Sequence, residues 1–247
     1  MNPTRRFVIV GDNHGDEIDP ICEAAFFKWL AVWYPEIRIH SGDLFDLAAL
    51  RNGASQEDKA KSMKHDYSAG MGFARRLFAG GDVKVFLRGN HDERLWDLLY
   101  KQDGALKDFA DQKTREIGKY LKRWGVKMLP YDARLGVYRI GKLQVIHGFK
   151  AGIGAAKQHA TIYRSCVFGH THSQDMVPVE NLSGPAMAMG TGCMCVIDMP
   201  YNARQCNKLR HQQGWVYGIL YPDGTYQAFH AKRVGNTFNL ATDVKTY

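Results

Sequence analysis

Apolar and polar positions follow a regular order along the first half of the chain. Short segments with the length of buried strands occur at 7–10, 37–40 and 83–87; the first is wholly apolar, and the other two are interrupted by Arg38, His40 and Lys84. A glycine and polar side chains follow each run, and helical patterns separate the runs. Asp19 and Pro20 predict the start of a helix that extends to about Trp33, and a polar helix is predicted over 56–78. This order predicts parallel strands whose carboxyl-terminal loops meet at one edge of a sheet.

The second half of the chain has the pattern of a β-rich fold. A helix is predicted over 108–124, and after Pro130 the apolar runs are short and bounded by turn residues. Strands are predicted at 134–140, 142–147, 166–168, 185–197, 215–221 and 226–231. An α/β first half and a β-rich second half predict two sheets packed as a sandwich with helices outside. No repeat or linker interrupts the pattern, so residues 1–247 are predicted to form a single domain.

Composition narrows the class of protein. The chain has 247 residues, of which 45% are hydrophobic and 23% are charged. No run of 18 apolar residues exists, which excludes a membrane-spanning helix. The apolar run at 7–10 is too short for a signal peptide, and the five cysteines are odd in number, so they cannot all pair within the chain. These observations predict a cytoplasmic protein without a membrane partner.

The charge of the chain is positive and unevenly distributed. The net charge is +8, which favours a polyanionic partner such as DNA or RNA. Residues 11–23 contain acidic side chains but no lysine or arginine, whereas 201–233 contain five basic residues and only Asp223 as an acid. An acidic cluster within a basic protein is the pattern expected of a metal site that acts on phosphates.

Five predicted loops carry the residue types that bind metal ions. They are Asp12-Asn13-His14, Asp43 with Asp46, Asn90-His91-Asp92, His147-Gly148 and Gly169-His170-Thr171-His172. Residues two apart in an extended chain project to the same side. The side chains of Asp12 and His14, and those of His170 and His172, can therefore converge on one point. Imidazole, carboxylate and amide ligands without sulfur suit divalent transition-metal ions. Manganese is the first expectation, with iron, zinc, nickel or cobalt as alternatives, and the set is large enough for two ions.

These motifs resemble a known family. The sequences Gly11-Asp12-Asn13-His14-Gly15, Gly42-Asp43-Leu44-Phe45-Asp46, Gly89-Asn90-His91-Asp92, His147 and Gly169-His170-Thr171-His172 are similar, in order, to the five-block signature of the calcineurin-like metallophosphoesterases. The blocks span residues 11–172. The chain as a whole resembles small phage- or prophage-encoded members, and its second block is similar to that of the Mre11/SbcD nuclease branch.

The resemblance implies a fold and a role for each matched residue. The fold would be a ββ sandwich of two mixed sheets flanked by helices, in the layer order αββα. Seven residues would bind two metal ions: Asp12, His14 and His172 the first, Asn90, His147 and His170 the second, with Asp43 bridging both. His91 would face the substrate and assist the leaving oxygen, and Asp46 would hold the His91 ring in its orientation.

Three functions remain open from the sequence. The first is a two-metal phosphodiesterase that acts on nucleic acid or nucleotides. The second is a phosphomonoesterase on nucleotides or phosphoproteins, and the third is a noncatalytic nucleic-acid-binding module. The protein serine/threonine phosphatase branch is not favoured, because Leu47 and Ala48 follow Asp46 where that branch has Arg-Gly. The sequence does not predict the oligomeric state.

Other conspicuous residues have simpler explanations. The histidines outside the blocks are predicted to be structural or exposed; they are His40, His65, His159, His211 and His230. Of these, His65 lies in an insertion that could reach the site. Cys193 and Cys195 are predicted to be buried free thiols rather than zinc ligands, because paired zinc-ribbon spacing is absent. The basic run over 202–211 and Arg94 are either solvated or in contact with phosphates.

Overall fold

Twelve strands and six helices make up the part of the chain that the computed structural model describes, which is residues 3–180, 182, 184–197 and 210–240. The strands are β1 (Arg5–Val10), β2 (Ile37–His40), β3 (Val83–Leu87), β4 (Lys127–Leu129), β5 (Tyr138–Ile140), β6 (Leu143–Ile146), β7 (Cys166–Phe168), β8 (Met176–Val179), β9 (Ala186–Gly190), β10 (Gly214–Leu220), β11 (Tyr226–Val234) and β12 (Thr237–Asn239). The helices are α1 (Pro20–Trp33), α2 (Gln56–Ala60), α3 (Met63–Leu77), α4 (Asn90–Lys101), α5 (Ala105–Arg123) and α6 (Ala155–Tyr163).

The strands form two mixed sheets. The first sheet has the order β12-β11-β10-β1-β2-β3-β4, and its members β1 to β4 are parallel. The second has the order β5-β6-β7-β9-β8, with β6, β7 and β9 parallel. In open sheets of parallel strands, ligands bind outside the carboxyl ends. Each sheet therefore offers a set of loops at such an edge.

Apolar residues fill three layers between these elements. Residues of both sheets, including Phe7, Ile39 and Val145, form the core between the sheets. A larger cluster, which includes Phe26 and Trp215, packs the first sheet against its helices. A third cluster packs the second sheet against α6. The layer order is helix, sheet, sheet, helix, which confirms the fold class expected from the sequence.

Local signals in the sequence place several elements correctly. The Asp19 side chain accepts a hydrogen bond from the Cys22 N–H at the start of α1, and Pro20 is the first helical residue. Tyr34 ends the helix in the left-handed conformation. The strands β2 and β3 have the predicted bounds, and the 134–147 region forms the β5–β6 hairpin.

Other predicted elements are wrong in part. The polar helix over 56–78 is two helices, because the chain leaves helical geometry at Lys61 and the Ser62 side chain caps a new helix at the His65 N–H. The strand predicted over 185–197 ends at Gly190. Beyond it the N–H of Met194 bonds to the carbonyl of Asp12 instead of to a strand. The sequence analysis missed β4, β8, β12, α4 and α6.

No helix in the described ranges is both long enough and apolar enough to cross a membrane.

Candidate metal centre

The loops at the carboxyl ends of the parallel strands bring the predicted site residues together. The loops after β1, β2 and β3 belong to the first sheet, and those after β6 and β7 belong to the second. They carry, in chain order, Asp12 and His14, Asp43 and Asp46, Asn90 and His91, His147, and His170 and His172. All nine side chains lie around one small region at the edge where the carboxyl ends of the parallel strands of both sheets meet.

Three of these residues form one cluster of ligand-type atoms. The Nε2 atoms of His14 and His172 are 3.0 Å apart, and Nε2 of His172 lies 3.4 Å from Oδ1 of Asp12. All three residues are buried. Asp12, His14 and His172 are the residues that the resemblance assigns to the first metal ion.

A second cluster lies on the other side of Asp43. Oδ1 of Asn90 is 3.0 Å from Nε2 of His147 and 2.8 Å from Nδ1 of His170. Oδ2 of Asp43 lies 3.4 Å from Nε2 of His147 and 3.9 Å from Nε2 of His14. One carboxylate oxygen of Asp43 is therefore near both clusters, as a bridging ligand would be.

The hydrogen bonds of the rings suit a site for cations. Nδ1 of His147 lies 3.0 Å from the carbonyl of Ser41, so this nitrogen carries the proton. In a neutral ring Nε2 then presents a lone pair, and it faces the oxygens of Asn90 and Asp43. Nδ1 of His14 likewise donates to Asp46 and leaves its Nε2 for the first cluster. A divalent ion in each cluster would satisfy these converging electron pairs.

The buried carboxylates give this region a negative charge. Burial opposes ionisation of Asp43, but the charges of His147 and His91 outweigh burial and hold the pKa of this carboxyl well below its usual range. Burial also lowers the pKa of His147, yet the charge of Asp43 raises it to about 9. The site therefore attracts positive charge, which protons or metal ions can supply.

Backbone geometry turns the ligand residues toward one another. Five of the seven predicted ligands have a positive φ, which is uncommon for residues other than glycine: Asp12 (53°), His14 (50°), Asp43 (52°), His170 (68°) and His172 (54°). Gly89 allows the loops to approach closely, because a Cβ there would lie 2.1 Å from Oδ1 of Asp43. The sharp turns after the strands thus fix where the ligand atoms point.

Asp46 contacts both His91 and His14. Its Oδ1 lies 3.0 Å from Nδ1 of His91 and 3.2 Å from Nδ1 of His14. Burial alone would raise the pKa of Asp46, but the hydrogen bonds from these two rings lower it well below its usual value. The sequence analysis predicted the contact with His91. The contact with His14 was missed, and it makes Asp46 a positioning residue for a predicted metal ligand as well.

Two further carboxylates, to which the sequence analysis assigned no role, shape the loop after β2. Asp92 accepts hydrogen bonds from the N–H groups of Phe45 and Gly89. Burial and the charge of Asp43 raise its pKa to about 8. Asp66 accepts from the N–H groups of Asp46 and Leu47. These bonds hold the loop that carries Asp43 and Asp46.

Two of the histidines outside the motifs were worth testing against the site, and only His211 lies at it. His65, which was singled out as able to reach the site, is exposed and lies outside the cavity lining; its neighbour Asp66 reaches the loop instead. His211 was expected to be structural, but it lines the cavity and its ring centroid is 5.0 Å from that of His172. His211 is distant in sequence from all five motifs, so nothing in the sequence next to it indicated a place at the site.

Cys193 and Cys195 are buried free thiols, as predicted. One of them also touches the site, because Sγ of Cys195 lies 3.9 Å from Nδ1 of His172. Nδ1 is the ring nitrogen that faces away from Asp12 and His14. The sulfur of Cys195 also lies within 4.8 Å of a ring nitrogen of His14, so this thiol is beside the first cluster. There it can orient the His172 ring, in the way that groups around metal ligands commonly do.

A cavity of about 320 Å³ opens above the two clusters. Its lining includes the basic side chains Arg51, Lys61, Arg94 and Arg210. Lys61 lies against Glu17, and Arg210 donates to Asp175 at 2.8 Å. Of the basic run proposed for phosphate contact, Arg204 and Lys208 lie outside the described residues, as does Cys206.

Comparisons with known proteins identify one curated relative. The Gene 54 protein of Mycobacterium phage D29 is 28% identical over 187 residues, which cover 71% of this chain and 72% of that protein. A phage relative agrees with the resemblance to phage-encoded members. No family model matches the chain.

Solved structures of similar fold include phosphoesterases. YfcE, a phosphoesterase from E. coli, matches with 15% identity and a TM-score of 0.39 over 88% of this chain and 89% of its own. A phosphatase from Mycoplasma pneumoniae matches with 12% identity and a TM-score of 0.42 over 94% and 95%. Vps29 of Chaetomium thermophilum matches with 9% identity and a TM-score of 0.43 over 92% and 95%.

All three TM-scores are below 0.5, so these likenesses say nothing about the reaction of this chain. The similarity to the Mre11/SbcD nuclease branch stays a prediction.

Proposed function

We propose that this chain is a calcineurin-like metallophosphoesterase, which binds two divalent transition-metal ions and hydrolyses phosphodiester bonds in nucleic acid or nucleotides. One observation carries the proposal. Two clusters of three ligand-type residues lie on either side of Asp43, and one oxygen of this buried carboxylate is near a histidine of each cluster. Two ions that share a carboxylate are a common arrangement for hydrolysis of phosphoesters.

Seven side chains would hold the ions. Asp12, His14 and His172 would bind one, Asn90, His147 and His170 the other, and Asp43 would bind both. When bound, the two ions would activate water as a nucleophile and offset the negative charge of the phosphate group. The chain contributes the fixed geometry, because the ligands follow strand ends and are buried.

His91 has the placement of a proton donor to the leaving oxygen. Its Nδ1 carries a proton that is held by the carboxylate of Asp46, and its ring lines the cavity. Nε2 is then the atom that can exchange a proton with the substrate. A positioned acid of this kind typically contributes about 10²–10⁴-fold to the rate.

The basic charge of the chain supports a diester in a polyanion as the substrate. The cavity lining contains four lysine or arginine side chains, and phosphate contacts of this type supply most of the affinity for nucleic acids.

Three of these four basic side chains are already paired with acids, namely Arg51 with Asp58, Lys61 with Glu17 and Arg210 with Asp175. This compensation supports the second candidate, a phosphomonoesterase, since it reduces the net positive charge of the rim.

A panel of substrates with the manganese-loaded protein tests the proposal. The panel contains bis(p-nitrophenyl) phosphate, p-nitrophenyl phosphate, cyclic nucleotides, and single- and double-stranded DNA. We expect turnover of diesters to exceed that of the monoester. Preference for the monoester would support the second candidate. Binding of DNA without turnover of any substrate would support a noncatalytic module.

Two variants control for contaminating activity in this experiment. Asp43→Asn is expected to weaken metal binding at both clusters and to lose turnover. His65→Ala, at an exposed position outside the cavity lining, is expected to retain wild-type rates. Equal activity of wild type and Asp43→Asn would show that the measured hydrolysis does not come from this site.

A further inference from the structure

Arg94 joins the loop after β2 to the helix that carries His91. Its Nη1 donates to the carbonyls of Asp46 at 2.7 Å and of Leu47 at 3.3 Å. Its Nη2 lies 3.2 Å from Nε2 of His91, one turn earlier on α4. The guanidinium also lines the cavity above the metal clusters. Arg94 is therefore fixed next to the ring nitrogen that faces the substrate.

The charge of Arg94 differs from that of the other basic groups around the cavity. Arg51, Lys61 and Arg210 each form an ion pair with a carboxylate. Within the described ranges, no carboxylate lies within 4.0 Å of the Arg94 guanidinium. Its protein partners are two neutral carbonyls and an imidazole, so its positive charge is available to an anion in the cavity.

The hydrogen-bonding capacity of Arg94 is also incompletely used. A guanidinium has five N–H donors, and the contacts described above occupy three. The remaining two donors are one N–H of Nη2 and the N–H of Nε, and neither has a partner among the described residues. Arg94 has no atom among the buried nitrogens that lack a hydrogen bond. A guanidinium with two free donors can bind a phosphate through two oxygens, and such charge-assisted bonds are strong.

We propose that Arg94 binds an oxygen of the substrate's phosphoryl group beside His91, and so acts as a further substrate-contact residue. The inference rests on the proposed function, since it takes the cavity above the metal clusters as the place where the phosphoester binds. In the contact described above, Nε2 of His91 accepts from Arg94 and the ring is neutral. When Nε2 carries the proton for the leaving oxygen it can no longer accept, so both Nη2 donors of Arg94 would be free to hold the phosphoryl group against the metal site. The bonds of Arg94 to the Asp46 and Leu47 carbonyls keep the guanidinium in place before the substrate arrives.

Calorimetric titration of the manganese-loaded protein with inorganic phosphate tests this inference without turnover. Arg94→Gln is expected to weaken phosphate binding by about 10- to 100-fold, the range for loss of a hydrogen bond with a charged partner. Arg94→Lys should recover part of the affinity, because it keeps the charge but not the two-donor geometry. Arg115→Gln, which removes one positive charge from an exposed site on α5, should bind phosphate as the wild type does.

Metal content and thermal unfolding of each variant are measured alongside the titrations. Wild-type phosphate affinity in metal-replete Arg94→Gln would overturn the inference, and so would absence of phosphate binding by the metal-loaded wild type. If Arg94→Gln does not fold, Arg94→Lys decides, because unchanged phosphate affinity in that variant would contradict the two-donor contact.

Kinetics separate this inference from the proposed function. For any phosphoester that the wild type hydrolyses, Arg94→Gln should raise KM. A wild type that binds phosphate through Arg94 but hydrolyses no phosphoester would contradict the proposed function and leave the anion site standing. A wild type that hydrolyses diesters with Arg94→Gln kinetically unchanged would contradict the role of Arg94 alone.

Discussion

The cavity has a floor, formed by the seven predicted metal ligands, and a rim, formed by the basic side chains of its lining such as Arg51 and Arg210. Both contain charged side chains, but they are built differently. On the floor, Asp43 and His14 are each only 1% exposed, and strand ends and backbone hydrogen bonds fix the ligand residues. On the rim, the side chains of Arg51 and Arg210 are 39% and 34% exposed. Ion pairs with this exposure contribute only about 0–1 kcal/mol. The floor is thus suited to bind ions in one geometry, whereas the rim can exchange its partners for a substrate at little cost.

The largest effect is expected on the floor, at Asp43. Asp43→Asn removes the one charge that is near both clusters, so both ions should be held more weakly and turnover should be lost. Elemental analysis after manganese loading should find about two ions per wild-type chain and far fewer in the variant. Unchanged metal content in Asp43→Asn would remove Asp43 from the bridging role.

His91 lies at the boundary between floor and rim. His91→Ala should lower turnover by about 10²–10⁴-fold and leave metal content near that of the wild type. The structure makes this test necessary, because a nitrogen of His91 also lies within 4.8 Å of ligand atoms of His14 and Asp43. Loss of metal from His91→Ala would mean that His91 is itself a ligand.

Cys195 tests whether the thiol next to His14 and His172 contributes to metal binding. Cys195→Ala removes the sulfur next to Nδ1 of His172 and should weaken metal binding by about 10- to 100-fold, the usual effect of losing a group that orients a ligand. Cys22→Ala is the matched control, since Cys22 is also a buried free thiol and its contacts are with Asp19 and Met194 rather than with that ring. With cobalt in the site, a sulfur-to-metal absorption band would instead show that Cys195 binds the ion directly.

The smallest effect is expected for the basic residues outside the metal loops, of which Arg210 lines the cavity and Arg204 and Lys208 lie outside the described residues. Replacing Arg204, Lys208 and Arg210 together with alanine should weaken cleavage of DNA or RNA and reduce its salt dependence, since each phosphate contact releases about 0.7–0.9 counterion. The rate on a small chromogenic diester should change much less. The measurement is KM for the polymer and for the small diester at low and at high salt, in the wild type and in the triple variant. Equal salt sensitivity of the two substrates would favour a nucleotide-sized or monoester substrate.

The floor could be predicted from the sequence because its signals are local. Each ligand loop lies at the end of a short predicted strand, and glycines adjoin the polar residues. Helix α4 was missed because Gly89 and Asn90 indicate a loop when taken alone. Asp92, three residues after Gly89, bonds to its N–H and caps the helix. That spacing was the available signal.

The supports of the floor and much of its rim could not be predicted in the same way. Asp66, Cys195 and His211 come from segments outside the ligand loops. Helix α3 brings Asp66 to the loop after β2, and the packing of the two sheets brings Cys195 and His211 to the site. Long-range contacts of this kind leave no periodic pattern in the chain. For the same reason the contact of Asp46 with His14 was missed, although its contact with His91 was foreseen from the resemblance.

The left-handed backbone at the ligand positions has a consequence for how stability and function are related. A residue other than glycine in this conformation costs roughly 1–2 kcal/mol, so the five such ligand positions together cost about 5–10 kcal/mol. That is comparable to the whole net stability of a typical domain, about 5–15 kcal/mol. Folding and metal binding therefore make opposing demands on the same residues. His172→Gly should melt at a higher temperature than His172→Ala in metal-free protein, although neither variant can supply the imidazole.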